Sequence, residues 1–272
     1  MNASLPSNPV QTPLADGALA ASPTPPERVH GLPEAVSSLL CTIVVALFVL
    51  TFVAQPMVIP SESMERTLLV GDFLLMNRSS LAPAGVWRRI LPYAPVERGD
   101  IVTFHSPLNP GEFLVKRVIG LPGDRIRIDL GRVMVNGEAL SEPYATFEPI
   151  ADNPYLDHFP TQTYTDPGVE PGWWKQLQQC SRGGELVIPA GKYFMMGDNR
   201  NHSRDSRYWG FVDRGQIVAR PLVIYFSLRQ PSRTDPSQDL QQLADDRLGH
   251  DMGISAHVKG FARWKRIFHV VH

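Results

Sequence analysis

Read from its amino end, the chain begins with a polar, proline-rich leader and rises into one long apolar run. It then settles into short stretches in which hydrophobic and polar residues alternate. Residues 1–34 are rich in Pro, Ala and Ser, lack apolar periodicity and read as a disordered tail. Residues 35–54 contain no charge, no glycine and no proline. A helix of about 20 residues rises about 30 Å, the thickness of a hydrocarbon core, so this run is expected to be a transmembrane helix. The competing reading, a cleaved leader, wants a basic flank and a shorter apolar core. The only Lys or Arg before the run is Arg28, and the next after it is Arg66, so positive charge does not fix an orientation.

The remainder, 55–228, is dominated by strand patterns. Asp100 to Phe104 is short and β-branched, and Arg125 to Asp129 alternates cleanly, which predicts one buried and one wet face. Asn136-Gly137 inside Arg132 to Leu140 predicts a tight hairpin. Glu185 to Met196 reads as a second hairpin around Pro189-Ala190-Gly191, and Gln216 to Leu228 as a final long strand. Residues 143–184, crowded with Pro, Asp and Tyr, read as an insertion with long loops. The stretch 229–272 is a polar tail in which Phe261, Trp264, Ile267, Phe268 and Val271 recur at helical spacing with Arg263, Lys265 and Arg266 between them. That spacing predicts an amphipathic helix, packed either on its own domain or on an anionic lipid surface. The expected fold is mostly β: an antiparallel, barrel-like core with a smaller inserted β region, behind one N-terminal transmembrane helix.

Composition narrows the function classes. A formal net charge of −1 over 272 residues gives no global field for nucleic acid. The 8 histidines are scattered, and no H-E-x-x-H or Cys pair occurs, so no metal and no cofactor is expected. Cys41 and Cys180 are too few for a disulfide framework and are expected as free thiols.

What chemistry the chain does offer lies just past the apolar run, in Ile59-Pro60-Ser61-Glu62-Ser63-Met64. A serine hydroxyl attacks well only when a base takes its proton. Lys116 lies in the apolar stretch Phe113 to Ile119, with Leu114 and Val118 as its same-face neighbours in a strand. Burial there would lower its pKa far enough to make it such a base, while exposure at a strand edge would leave it an ordinary solvated lysine.

At this point the sequence resembles a known family, the bacterial type I signal peptidases, membrane-bound Ser–Lys proteases that remove signal peptides from exported preproteins. Ile59 to Met64 resembles the family's serine box, and Gly71-Asp72-Phe73-Leu74-Leu75 its second box. Arg98 to Val102 with Val115 to Asp124 resembles the lysine box, and Gly197 to Gly210 the last box. The boxes stand in family order over roughly residues 55–228. The resemblance implies Ser63 as nucleophile, Lys116 as general base, and the Ser61 hydroxyl with the Ser63 N–H as an oxyanion hole. It implies that Ser203 orients Lys116, and that Asp205 and Arg207 pair beside it. Met57, Ile59, Met64, Leu68, Leu114 and Val115 would line pockets for small side chains. It also implies signal peptides and the lipid bilayer as partners, and a catalytic domain on the periplasmic or extracellular side of the inner membrane. The family often has two spans, whereas the one apolar run here predicts a single pass, and a monomer is expected. Two positions depart from the pattern: Glu62 stands where the family usually has glycine, and Arg66 where it has proline.

Rival readings are weaker. A Ser-His-Asp arrangement from His202, Ser203 and Asp205 suffers from adjacent residues that point apart on a strand, and no G-x-S-x-G elbow is present. A self-cleaving repressor-type Ser–Lys protease would be soluble with a DNA-binding head. A catalytically silent, membrane-tethered β module that binds peptides would keep the fold and lose the chemistry.

Overall fold

The computed structural model describes residues 31–49, 54–78, 94–147, 153–161, 166–229 and 262–271. Nearly all of the tail expected over 1–34 lies outside them. The apolar run forms helix α1 (Leu32–Phe48), 17 residues long, with Glu34 in its first turn, where the positive end of the helix dipole favours a carboxylate. None of its side chains is buried. The transmembrane helix expected over 35–54 is not found as such. The helix starts earlier, its 17 residues rise only about 25 Å, and no helix among the described residues is long and apolar enough to cross a membrane. Residues 50–53 of the expected span lie outside the described residues.

The rest is built on two antiparallel sheets. The first holds β1 (Ala54–Val58), β2 (Asp72–Asn77), β3 (Ile101–His105) and β4 (Phe113–Gly120). The second holds β5 (Arg125–Asp129), β6 (Arg132–Val135), β7 (Glu138–Ala139), β8 (His158–Phe159), β9 (Ser181–Arg182) and β10 (Glu185–Val187). The chain then returns to the first sheet with β11 (Lys192–Met196), β12 (Val212–Asp213), β13 (Ile217–Ser227) and β14 (His269–Val270). The first sheet runs β1-β2-β13-β3-β4-β11-β12 with β14 added to β13, and the second runs β7-β6-β5-β10-β9 with β8 added to β5. The smaller sheet is therefore a single insertion between β4 and β11.

Local sequence explains much of this. β5 alternates strictly between exposed and buried positions, as its pattern predicts. Asn136 and Gly137 take φ of 55° and 86°, the left-handed pair that a two-residue hairpin between β6 and β7 demands. In β13 the register slips between Pro221 and Val223, where proline offers no N–H to the ladder. One apolar cluster joins the sheets: Ile119, Phe194 and Met196 of the first pack with Ile126, Ile128, Val133 and Leu186 of the second.

Three expectations are corrected. Glu185 to Met196 is not a hairpin: β10 pairs with β5 and β9, whereas β11 pairs with β4 and β12. The turn at Pro189-Ala190-Gly191 hands the chain from one sheet to the other, because each flanking strand finds partners elsewhere. The region 143–184 is not only loops. It contains helix α2 (Pro154–Asp157) and the ten-residue helix α3 (Pro171–Cys180), which starts at a proline suited to a first helical turn. Trp173 and Leu177, one turn apart, are its buried positions. Finally, no amphipathic helix forms among the described residues 262–271 of the carboxyl end. Trp264–Arg266 is a single 3-10 turn and His269–Val270 is a strand on β13, because an available sheet edge satisfies more backbone groups than a short solvated helix would. Phe261 lies outside the described residues. Both cysteines are free, Cys41 exposed and Cys180 half-buried.

Leu177 is fully buried beneath α3, so Leu177→Ala should lower the unfolding free energy by about 2–5 kcal/mol. The exposed neighbour Lys175→Ala should stay within about 0.5 kcal/mol of the parent. Urea denaturation followed by tryptophan fluorescence measures both.

Candidate active site

Ser63 enters the site on the 3-10 turn Glu62–Met64, just after β1. Apolar residues of the same segment hold it down: Ile59, Met64 and Leu68 pack in a cluster with Leu74, Met76, Ile101, Ala219 and Ile224. Lys116 comes from the middle of β4, paired across to Val102 of β3. Its same-face neighbour Val118 is fully buried and Leu114 half-buried. The two elements meet head to head, with Lys116 Nζ 2.5 Å from Ser63 Oγ. Only 7% of Ser63 and 4% of Lys116 is exposed, so this contact is dry.

Burial dominates the lysine's titration and lowers its pKa from 10.5 to about 8, although the charges of Asp205 and Asp198 pull the other way and Arg207 adds a little to the lowering. The carboxylates fail to rescue the ammonium form because each is already paired. Arg207 grips Asp205 with two bonds, Nε to Oδ1 at 2.9 Å and Nη2 to Oδ2 at 2.8 Å. Burial would raise the Asp205 carboxyl, but the Arg207 charge and the hydrogen bonds from Arg207 and the Gly197 N–H hold it below the usual range. Arg117, next to the lysine, grips Asp198 likewise, Nε to Oδ1 at 2.9 Å and Nη2 to Oδ2 at 2.8 Å. Thr67 of the Ser63 segment donates to Asp198 Oδ2 at 2.6 Å, and the Tyr144 ring covers the Arg117 guanidinium at 3.8 Å. Arg200 makes a third fork, to Glu142. Forked, desolvated pairs of this kind are strong and rigid.

The other expected residues fall around this pair. Ser61 is exposed, with its Oγ 3.4 Å from Ser63 Oγ. Ser203 is buried and its hydroxyl faces Asp205, helping to hold that carboxyl down, but the expected bond to Lys116 is not formed. Met57, Leu114 and Val115 are half-buried, whereas Ile59, Met64 and Leu68 are almost wholly buried. Glu62 sits half-buried in the 3-10 turn and is not among the positive-φ residues, so glutamate meets no backbone penalty there. Arg66 does take a positive φ, 79°, which a proline with φ fixed near −65° cannot adopt.

Sequence reasoning missed several members of the site. The Arg117–Asp198 and Arg200–Glu142 pairs join residues 81 and 58 positions apart, and nothing in the sequence says which arginine meets which acid. Gly197 carries a readable signal only in hindsight. A Cβ there would lie 2.3 Å from Ser203 Oγ and 2.4 Å from the Ser63 carbonyl oxygen. The same strip of backbone reaches Ser63 directly, since Asn199 N–H donates to the Ser63 carbonyl at 3.1 Å.

Two outcomes follow. Folding opposes protonation of Lys116, a cost that is full below pH 8 and vanishes as pH rises towards 10.5. Lys116→Met should therefore raise the unfolding free energy near pH 7 by about 1–3 kcal/mol, with the gain shrinking towards pH 10; chemical denaturation at both pH values checks this. Gly197→Ala should lower stability by about 1–3 kcal/mol through overpacking, read as a lowered thermal midpoint.

Comparison with known proteins places this geometry. A family model described as signal peptidase, peptidase S26, matches residues 32–226. A signal peptidase I of Pseudomonas fluorescens is 33% identical over 204 residues, covering 69% of this chain and 70% of the relative. One from Leptolyngbya laminosa is 32% identical over 233 residues, 83% of this chain and 93% of the relative. One from Aquifex aeolicus is 32% identical over 235 residues, 73% and 86% of the two chains. The matched residues include every segment that meets at Ser63 and Lys116, and the chain belongs to the signal peptidase family of serine endopeptidases, peptidase S26.

Proposed function

We propose that the protein removes signal peptides from exported preproteins, cleaving after small residues with Ser63 as nucleophile and Lys116 as its general base. The observation that carries this reading is the dry 2.5 Å contact between a serine hydroxyl and a lysine whose pKa burial has lowered to about 8. Near neutrality an appreciable fraction of that lysine is a free amine, able to accept the hydroxyl proton. Ser63 Oγ would attack the scissile carbonyl while Lys116 takes its proton. The Ser61 hydroxyl and the Ser63 N–H would hold the oxyanion. Lys116 would then return the proton to the leaving amine, and water would release the acyl group from Ser63.

Substrate register rests on an open sheet edge. β4 pairs with β3 along Phe113 to Arg117, but β11 covers its other side only from Arg117 onwards. Residues 113–116 therefore offer an edge to an extended peptide, next to the catalytic lysine. Met57, Leu114 and Val115 would meet its side chains over a floor of Ile59, Met64 and Leu68, shallow enough for alanine and too tight for larger residues. Ser203, a buried hydroxyl beside Asp205, would orient Lys116 once substrate arrives, since apo contacts tighten in the complex. The wholly exposed apolar surface of α1 supports a single-pass anchor in the inner membrane, with residues 55–228 as a monomeric catalytic domain on the periplasmic or extracellular side.

Full-length protein in detergent should cut a preprotein bearing an Ala-x-Ala site after the last alanine, as located by mass spectrometry. Ser63→Ala should reduce the rate at least about a thousandfold. Because the base must be neutral, kcat/KM should rise with pH through about 8 and level off above it. Folded wild-type protein that cleaves nothing between about pH 6 and 10 would sink the reading.

A further inference from the structure

The family match ends at residue 226, yet residues 262–271 return to the catalytic unit and make ordered contacts there. β14 pairs with β13, Val270 opposite Val223 and His269 opposite Ile224. Backbone bonds from Arg263 N–H to Ser227 O and from Phe268 N–H to Ile224 O extend the attachment on both sides of the 3-10 turn. This ladder presents two arginines to one acid. Asp72, the first residue of β2, is fully buried. Arg266 forks onto it, Nη2 to Oδ2 at 2.6 Å and Nε to Oδ1 at 3.2 Å, and Arg263 Nη1 reaches Oδ1 at 3.4 Å. Ser227 Oγ completes the set at 2.6 Å.

Asp72 is also the base of the loop that carries Ser61 and Ser63. Its carbonyl accepts the Ile59 N–H at 2.9 Å, ahead of the serines, and its carboxylate accepts the Leu69 N–H at 2.8 Å, behind them. The arginines brace the same return limb directly. Arg266 Nη2 donates to Thr67 O at 2.9 Å and Arg263 Nη2 to Val70 O at 2.8 Å. Thr67 in turn holds Asp198 beside the catalytic lysine. A buried carboxylate without its cations would be strongly destabilised in place and would draw in water or shift. Bonds to two loop carbonyls are more than neutralising that charge requires.

We propose that the carboxyl-terminal segment is a built-in clamp on the nucleophile loop, in which Arg266, assisted by Arg263, positions Ser63 through Asp72. The proposal rests on the reading of Ser63 and Lys116 as the catalytic pair. Neither arginine touches the reacting atoms; both act through the loop, and so they are positioning residues rather than catalytic ones.

The test uses the full chain carrying Arg263→Gln and Arg266→Gln together. Hydrogen exchange across residues 61–70, kinetics on an Ala-x-Ala peptide and thermal unfolding are followed in parallel. Exchange at the Leu68 and Leu69 amides should quicken about tenfold or more while the sheet strands stay protected. Well below the unfolding midpoint, kcat should fall about tenfold to a hundredfold with KM within about twofold, the signature of a misplaced nucleophile. Arg266→Lys, which keeps the charge but not the fork, should lie between the double variant and the parent. A lowered midpoint with kcat unchanged would show a merely structural tail and overturn the proposal, as would unaltered exchange at 61–70. If the double variant does not fold, Arg266→Lys alone decides between the same outcomes. Exchange is read without substrate, so a wild-type protein that cleaves nothing would defeat the catalytic reading while leaving the clamp separately tested.

Discussion

Everything in this site depends on making one buried lysine easier to discharge next to a serine. Burial alone can lower a lysine pKa by several units, but a single unpaired carboxylate nearby would restore 1–3 of them. Two carboxylates, Asp198 and Asp205, act on Lys116, so the site works only if their charge is already committed. The forks from Arg117 and Arg207 do this. They turn each acid into a neutral, rigid pair, and the desolvation of Lys116 then decides its titration. Rigidity matters equally. The same forks, with Thr67 on Asp198, tie β4, the Ser63 segment and the strip 197–207 into one body, so the amine and the hydroxyl are held together rather than meeting by chance.

The topology follows from that requirement. Ser63 sits after the edge strand β1, Lys116 in the interior strand β4, and Asp198 and Asp205 just beyond β11. The smaller sheet is inserted between the last two of these elements and packs on the first through the apolar cluster it shares with Ile119, Phe194 and Met196. Trp173 of α3 shows how far this support extends. Its indole N–H donates to the Arg207 carbonyl at 2.9 Å, as does the Tyr155 hydroxyl, so the inserted region holds the backbone of the residue that neutralises Asp205.

Legibility in the sequence tracked the range of the interaction. Where a feature depends on neighbours in the chain, it could be read: the alternation of β5, the Asn136-Gly137 turn and the long run of β13 all depend on local backbone preference and burial period. Where partners are distant, reading failed. Glu185 to Met196 has the letters of a hairpin but lies across two sheets. The carboxyl end has helical spacing, yet a sheet edge on β13 was available to it. The helix α3 was hidden because its buried face consists of only Trp173 and Leu177 among polar residues.

The sequence by itself determined which groups could do chemistry here. Two serines past an apolar run and a lysine flanked by apolar strand positions leave serine–lysine hydrolysis open, and the resemblance of four ordered segments, Gly197 to Gly210 the last of them, to one family's boxes points to it. Only the tertiary structure decided whether Lys116 is buried or solvated, which arginine cancels which acid, and that Arg263 and Arg266 belong to Asp72 rather than to a lipid surface. The physical reason is that a charge's energy is set by what surrounds it in space, and a low-dielectric pocket built from chain segments up to 194 residues apart leaves no local trace in the order of the residues.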